Sequence, residues 1–448
     1  MIEKDRLDVF KNAPVSRAVM INTIPAIISI LMVLIYNLAD TFFIGQTHNA
    51  LLVAAVSLAT PVFLIFMGLG TVFGIGGTSV ISRAMGEGRY DYAKKVSSFC
   101  MWCSVGVGLL LSLCIWVFMD ATLSWIGASS DTWEPAKTYL SIICLAGPFA
   151  VVSTCFSNLI RAEGQSQKAM MGLLIGNLLN VVLDPILILL FGWGIAGAAL
   201  ATVIGNIIGA GYYIVYFLRG KSALSIHVKH FTLKHHVATG VLAIGIPASL
   251  GSFLMSFSNI IVNSLMSTYG DMAVAGIGVA MKVTIVTGMV SIGFGQGIQP
   301  LLGFCVGANL WERFKHVLKF SVITSLAISL VLTGLAYLFI DQIINAFLYN
   351  QSAHDYAVTL GCILLSTSFL SGLFFVLSSA LQAMGAAKEA LIINLSRQGF
   401  IYIPALFVLN SLFFANGLAL AQPVADVLSA GLVIFLYYRT TKRLIVNL

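Results

Sequence analysis

Long apolar runs recur along this chain, and they leave it almost no choice of fold. Twelve windows approach the roughly 20 residues needed to cross a hydrocarbon core of about 30 Å. They lie at 16–45, 51–80, 94–119, 136–160, 168–191, 194–218, 237–268, 272–300, 316–340, 355–381, 388–413 and 416–438. A backbone in lipid must satisfy its own N–H and C=O groups, which only helices and closed barrels do. Windows this long without period-two alternation exclude a barrel. Composition agrees: 59% of residues are hydrophobic and 9% charged, with mean hydropathy +0.97, whereas soluble domains carry about 25% charged residues. The expected fold is an all-α integral membrane protein with twelve transmembrane helices.

Basic residues set its orientation. The excess of 24 Lys and Arg over 17 Asp and Glu gathers in alternate gaps between the runs, so it reads as a topology signal and not as a nucleic-acid patch. Lys4, Arg6, Lys11 and Arg17 precede the first window, Arg83, Arg89, Lys94 and Lys95 follow the second, and Arg219, Lys221, Lys229 and Lys234 follow the sixth. The alternate gaps carry only Lys137. Both termini are therefore expected in the cytoplasm, with a multi-pass chain in the plasma (inner) membrane. The charged amino terminus lacks a small-residue cleavage pattern, so the first helix is expected to act as the membrane signal. Seven cysteines, mostly inside apolar runs, do not suggest a disulfide framework.

The chain also repeats itself weakly at an offset of 219 to 222 residues. Ile24-Pro25 matches Ile246-Pro247, Gly68 matches Gly288, Gly77 matches Gly297, Gly164 matches Gly385 and Gly197 matches Gly417. In membrane helices Gly permits close approach and Pro bends the chain. Two pseudo-symmetric six-helix lobes around a central cavity are expected, 1–218 and 237–448, joined by a cytoplasmic linker at 219–236. The sparse histidines from His227 to His236 read as part of a solvated linker.

Ionisable residues inside the windows are the candidate site. Asp40 lies in LMVLIYNLADTFFIGQ and Asp184 in GLLIGNLLNVVLDPILILLF. A charged Asp at mid-bilayer costs roughly 2.5 to 3.5 kcal/mol on insertion scales, so each should face protein or a wet cavity. Tyr36 and Asn37 accompany Asp40 on its helix, while Asn177, Asn180 and Asp184 share one helical face. Two such acids repel, so one should hold a proton or a cation should sit between them. Asn180, and Thr202 in the sixth window, would add neutral oxygens, which suit sodium better than a soft metal. Neither acid has a counterpart in the second repeat, where Asp40 corresponds to Val262. Pro25, fifteen residues before Asp40, is read as a hinge. The second repeat carries its own charges at matching depth, Lys282, Arg397 and Asp426, which form either an internal pair or a charged cavity wall. No Walker lysine motif and no HExxH occur, so neither direct ATP drive nor a zinc hydrolase is expected.

The joint pattern resembles the multidrug and toxic compound extrusion (MATE) family. The carrying residues are Asn37 to Gly45 (NLADTFFIG), Arg161 to Gly164 (RAEG), Asn180 to Pro185 (NVVLDP) and Gly194 to Ala199 (GIAGAA). The resemblance implies a cation-coupled antiporter exporting lipophilic, often cationic, organic compounds by alternating access, with no cofactor beyond a coupling H+ or Na+. It implies that Asp40, Asn180, Asp184 and Thr202 hold that ion. Relatives with a carboxy-lobe cation site have acids in their seventh and tenth helices; here those windows offer Asn259, Asn263, Ser371 and Ser378 instead. Small organic substrates and membrane lipid are the expected partners of a functional monomer. The competing reading is a flippase for a lipid-linked sugar or another amphiphile.

Overall fold

The computed structural model describes residues 8–220, 222–234, 236–347 and 351–446. Lys4, Arg6, Lys221 and His235, named above, lie outside them. The principal helices are α1 (Val15–Gly45), α2 (Ala50–Gly86), α3 (Tyr90–Val117), α4 (Trp133–Ala162), α5 (Ser166–Asp184), α6 (Gly194–Leu218) and α7 (Val237–Met266). They continue with α8 (Asp271–Gly307), α9 (Trp311–Leu338), α10 (Gln351–Leu365), α11 (Leu370–Ala383), α12 (Ala387–Leu395) and α13 (Tyr402–Val446). Among the described residues no strand occurs.

Ten helical runs among the described residues are long and apolar enough to cross a membrane, or eleven if the pair 352–365 and 370–383, bent by 46°, is one crossing. Two local features bear on the expected twelve. Between α10 and α11 the hydroxyls of Ser366 and Ser368 donate to the carbonyls of Ile363 and Leu364 at 2.6 and 2.9 Å, offering the backbone an alternative to the helical ladder. The last two windows instead form one run, Ala387–Arg443. Inside α13 the backbone leaves helical geometry at Phe414 (φ 54°, ψ −136°), a kink at which two helices meet.

The repeat is visible in backbone geometry, in places where residue identity hides it. Left-handed residues recur at His48 and Gly270, Gly88 and Asn309, Gly164 and Gly385, and Gly194 and Phe414. Those pairs are 222, 221, 221 and 220 residues apart. The short helices Met119–Trp125 and Ile340–Asn345 follow α3 and α9 after the equivalent residues Phe118 (φ −103°, ψ 35°) and Phe339 (φ −108°, ψ 17°). The chain forms two compact units, one built on residues 28–245, the other on 246–448 together with 13–27. α1 is thus divided between them two residues after Pro25. In the second unit Gly293 and Gly297 of α8 lie so near Ile27 and Thr23 that a Cβ would stand 2.8 and 2.6 Å from their Cα atoms.

Lipid gives helices no hydrophobic reason to associate, so close backbone approach supplies the contact. In the first unit α5 and α6 meet glycine to glycine: a Cβ on Gly176 would stand 2.7 Å from the Gly205 carbonyl oxygen. The GxxxG of Gly205 and Gly209 is therefore used inside the chain.

The segment after α6 is fastened down along its first residues, while Val228, Phe231 and Leu233 beyond them are exposed. Ser97 and Ser98 of α3 donate to the carbonyls of Ser225 and His227, both at 2.8 Å, and the Trp102 indole donates to Ile226 at 3.1 Å. Phe99 stacks on Phe231 with centroids 6.2 Å apart. Glu163, buried at the end of α4, accepts from Ser222 Oγ at 2.7 Å, from the Ala223 amide at 2.9 Å and from the Tyr216 hydroxyl. One carboxylate thus ties the start of the linker to the helix that carries the RAEG motif, because a buried acid needs its donors.

Two substitutions test this packing. Gly176→Ala is expected to destabilise the detergent-solubilised protein by about 1–3 kcal/mol through overpacking. Gly106→Ala, whose Cβ meets nothing within 4 Å, should leave the thermal midpoint unchanged. Glu163→Ala strands two hydroxyls and an amide, at about 1–3 kcal/mol. It should lower the midpoint and open the 222–231 segment to limited proteolysis, with Glu163→Gln falling between it and the parent.

Candidate cation site

Four helices of the first unit each contribute to one buried polar cluster. α1 supplies Tyr36 and, one turn on, Asp40; α4 supplies Tyr139; α5 supplies Asn180 and, one turn on, Asp184; α6 supplies Thr202. All six are buried, and Asp184 is 0% exposed. The Asn180 amide donates to Thr202 Oγ1 at 3.2 Å. No donor reaches Asn180 Oδ1, Asp40 Oδ1 or either carboxylate oxygen of Asp184. Asp184 lies in the field of Asp40, and Tyr139 in the field of Asp40, Tyr36 and Asp184 together.

Buried polar atoms without partners are rare and ask for an explanation. Here four oxygens are stranded, three of them on carboxylates that accept but do not donate when ionised. That donor set fits a proton or a hard cation with oxygen ligands and is wrong for an anion or a soft metal. A cavity of about 30 Å³ opens one turn away from the acids along α1 and α5, lined by Tyr36, Ser153, Asn177, Asn180, Thr202 and Asn206. It has room for a water or a small ion.

Local sequence explains the opening beside Asp184. Pro185 follows it directly, and residues Pro185–Leu190 form a π-helical turn. Proline cannot donate to the ladder and crowds the preceding turn, and such widened turns are common at functional sites. The second unit has a π-helical turn of its own at Ser396–Phe400, which carries Arg397 but lies outside the repeat offset, since residue 185 corresponds to a position near 405.

The remaining expected residues divide. Asn177 lines the small cavity and its Nδ2 has no partner. Asn37 is exposed and donates to the Val33 carbonyl at 2.8 Å. Pro25 lies inside α1, which stays helical from Val15 to Gly45. In the second unit Arg397 Nε meets Asp426 Oδ1 at 2.9 Å. Lys282 shares their cavity but sits over the Phe347 ring, 5.2 Å from its centroid. Sequence reasoning overlooked Tyr139, because a tyrosine near the end of an apolar window reads as an interfacial anchor. Ser153 and Asn206 were overlooked as well; only their spacing against Asn180 across two other helices would have revealed them.

Comparison with known proteins gives a consistent answer. The MatE family model matches residues 25–186 and again 247–408, beginning at Pro25 and at Pro247. Multidrug export protein MepA of Staphylococcus aureus (strain MSSA476) is 32% identical over 447 residues, spanning 100% of this chain and 98% of its own. MepA of Staphylococcus haemolyticus (strain JCSC1435) is 31% identical over 446 residues with the same coverage. The crystal structure of MATE in complex with MaL6 shares the fold with a TM-score of 0.93 at 22% identity, covering 98% of both chains. An outward-facing multidrug resistance MATE family transporter of the MOP superfamily gives 0.92 at 21% identity, with 98% of both chains covered. Matched twice by the family model, and from end to end by relatives above 30% identity, the chain belongs to the MATE family of transporters.

Proposed function

We propose that this protein exports lipophilic, often cationic, organic compounds in antiport with H+ or Na+, by alternating access. It does so as a monomer of twelve crossings in the plasma (inner) membrane, with both termini in the cytoplasm. The similarity to multidrug export proteins supports the substrate class. One observation carries the coupling: four buried oxygens of Asp40, Asn180 and Asp184 have no donor, in helices apolar enough to lie in lipid. The chain's own groups then act in a defined order. Asp40 and Asp184 take up the entering cation or proton from outside, Asn180 and Thr202 complete its oxygen shell, and neutralisation removes the repulsion between the acids. Filling the site disfavours substrate occupancy, so the compound leaves outward; release of the ion inward restores the charged pair.

In proteoliposomes loaded with ethidium, an imposed Na+ or proton gradient should drive export by the parent protein. Asp40→Asn and Asp184→Asn are each expected to cut the initial rate by roughly 10- to 100-fold, the worth of a charge-assisted contact of about 1.5–3 kcal/mol. Unchanged rates in both variants would overturn the reading. Thr202→Val is expected to slow Na+-driven export about tenfold while leaving proton-driven export within about twofold, since a proton on a carboxylate needs no hydroxyl ligand. Equal loss under both gradients would show that Thr202 positions Asn180 and does not touch the ion.

A further inference from the structure

The second unit holds a cavity of about 310 Å³, a size that takes a drug-like ligand. Its charges do not cancel. Asp426 is fully engaged: it accepts from Arg397 Nε at 2.9 Å, from Gln422 Nε2 at 3.0 Å and from Thr367 Oγ1 at 3.4 Å. Arg397 is held in turn, its guanidinium 4.8 and 5.1 Å from the ring centroids of Phe374 and Phe375. That pair is neutral.

Lys282 is the exception. Among the described residues no carboxylate lies within ion-pair distance of its ammonium, and the Phe347 ring is a weak partner, worth about 0.5–1 kcal/mol at an exposed site. Counting Lys282 and Arg397 against Asp426 leaves the wall one positive charge in excess. A cationic guest is repelled there and a monoanion is not. The rest of the lining sets the shape of that monoanion: Met255, Met281, Met289 and Phe375 present an apolar surface. Methionine side chains are flexible and polarisable, and adapt to varied and especially aromatic bodies.

We propose that this cavity binds amphiphilic carboxylates, with one carboxylate on the Lys282 ammonium and an apolar, preferably aromatic, body against the methionines and Phe375. The site widens the substrate class of the export reading on which it rests, adding organic acids to the organic cations. The same chemistry has a second source, the free fatty acids of the membrane itself.

Binding without any gradient tests this separately from transport, so failure here and failure of ethidium export are distinguishable. Full-length protein in phosphatidylcholine nanodiscs is titrated at low ionic strength with dansylglycine and with its uncharged methyl ester. The parent is expected to bind the acid about tenfold more tightly than the ester, the effect of one charge-assisted contact. Lys282→Met should bring the acid down to the ester's affinity while leaving the ester unchanged, which also reports an intact cavity. Lys282→Arg should keep most of the preference. Equal affinities in the parent, or a preference that survives in Lys282→Met, would overturn the proposal. Should Lys282→Met lose both ligands, the parent's discrimination and the Lys282→Arg result decide. Unlabelled naphthoate and oleate then compete for the site. Displacement by naphthoate assigns it to soluble aromatic acids, displacement by oleate alone assigns it to lipid-derived acid, and displacement by neither overturns it.

Discussion

Removing both oxygens of Asp184 from water, with no donor to replace it, is the constraint on which the first unit is built. An ionised carboxylate in such surroundings costs several kcal/mol even after relaxation, and Asp40 adds a second negative charge within electrostatic range. The Asn180 amide spends one N–H on Thr202, and neither residue donates to the acids. On the proposed reading one small cation or one proton would relieve both acids together, and an ion gradient would act on the protein through that linkage of folding to occupancy.

Holding the acids there requires a scaffold that does not collapse around them. Lipid offers the helices no solvent-driven squeeze, so α5 and α6 are locked by backbone contact through Gly176 and Gly205. The same contact brings Asn180 against Thr202, since a Cβ on Gly205 would lie 3.3 Å from the Asn180 Cβ. Close packing and ion chemistry share one helix pair. The π-helical turn at Pro185 then breaks the regular register directly after Asp184, so the carboxyl sits where the helical ladder is already interrupted. At the other end of the unit, Glu163 shows the alternative fate of a buried acid: given three donors it becomes a structural tie.

Much of this was legible before any coordinates. Helical class and membrane residence follow from window length alone, and the acids of the cation site are conspicuous because so few charges interrupt those windows. What escaped notice depended on geometry. His48, Asn309 and Phe414 stand where the other repeat has glycine, so a comparison by residue type misses turns that the backbone repeats faithfully. Tyr139 was hidden because its distance from Asp40 depends on how α4 packs. The docking of the linker's first residues escaped notice because Ser97, Ser98, Trp102 and Glu163, which bind them, are distant in sequence. The α10–α11 bend and the Phe414 kink escaped notice because they are events of one or a few residues, too local for a hydropathy window.

The two repeats then show what duplication preserves. Left-handed turns and the short helices after α3 and α9 recur because they are properties of the backbone path, and each must be kept for the helices to pack. Side chains within that path are freer. In the first unit Asp184 and one oxygen of Asp40 have no donor; in the second, Arg397 is neutralised by Asp426, and Lys282 leaves the cavity positive. A fold that holds charge inside both halves can therefore carry opposite polarity in each, because the backbone fixes where a charge can be held and the local donor and acceptor inventory fixes its sign. On the two proposals made above, the first unit would suit a cation and the second the carboxyl end of an amphiphile, by the same rule applied to different side chains.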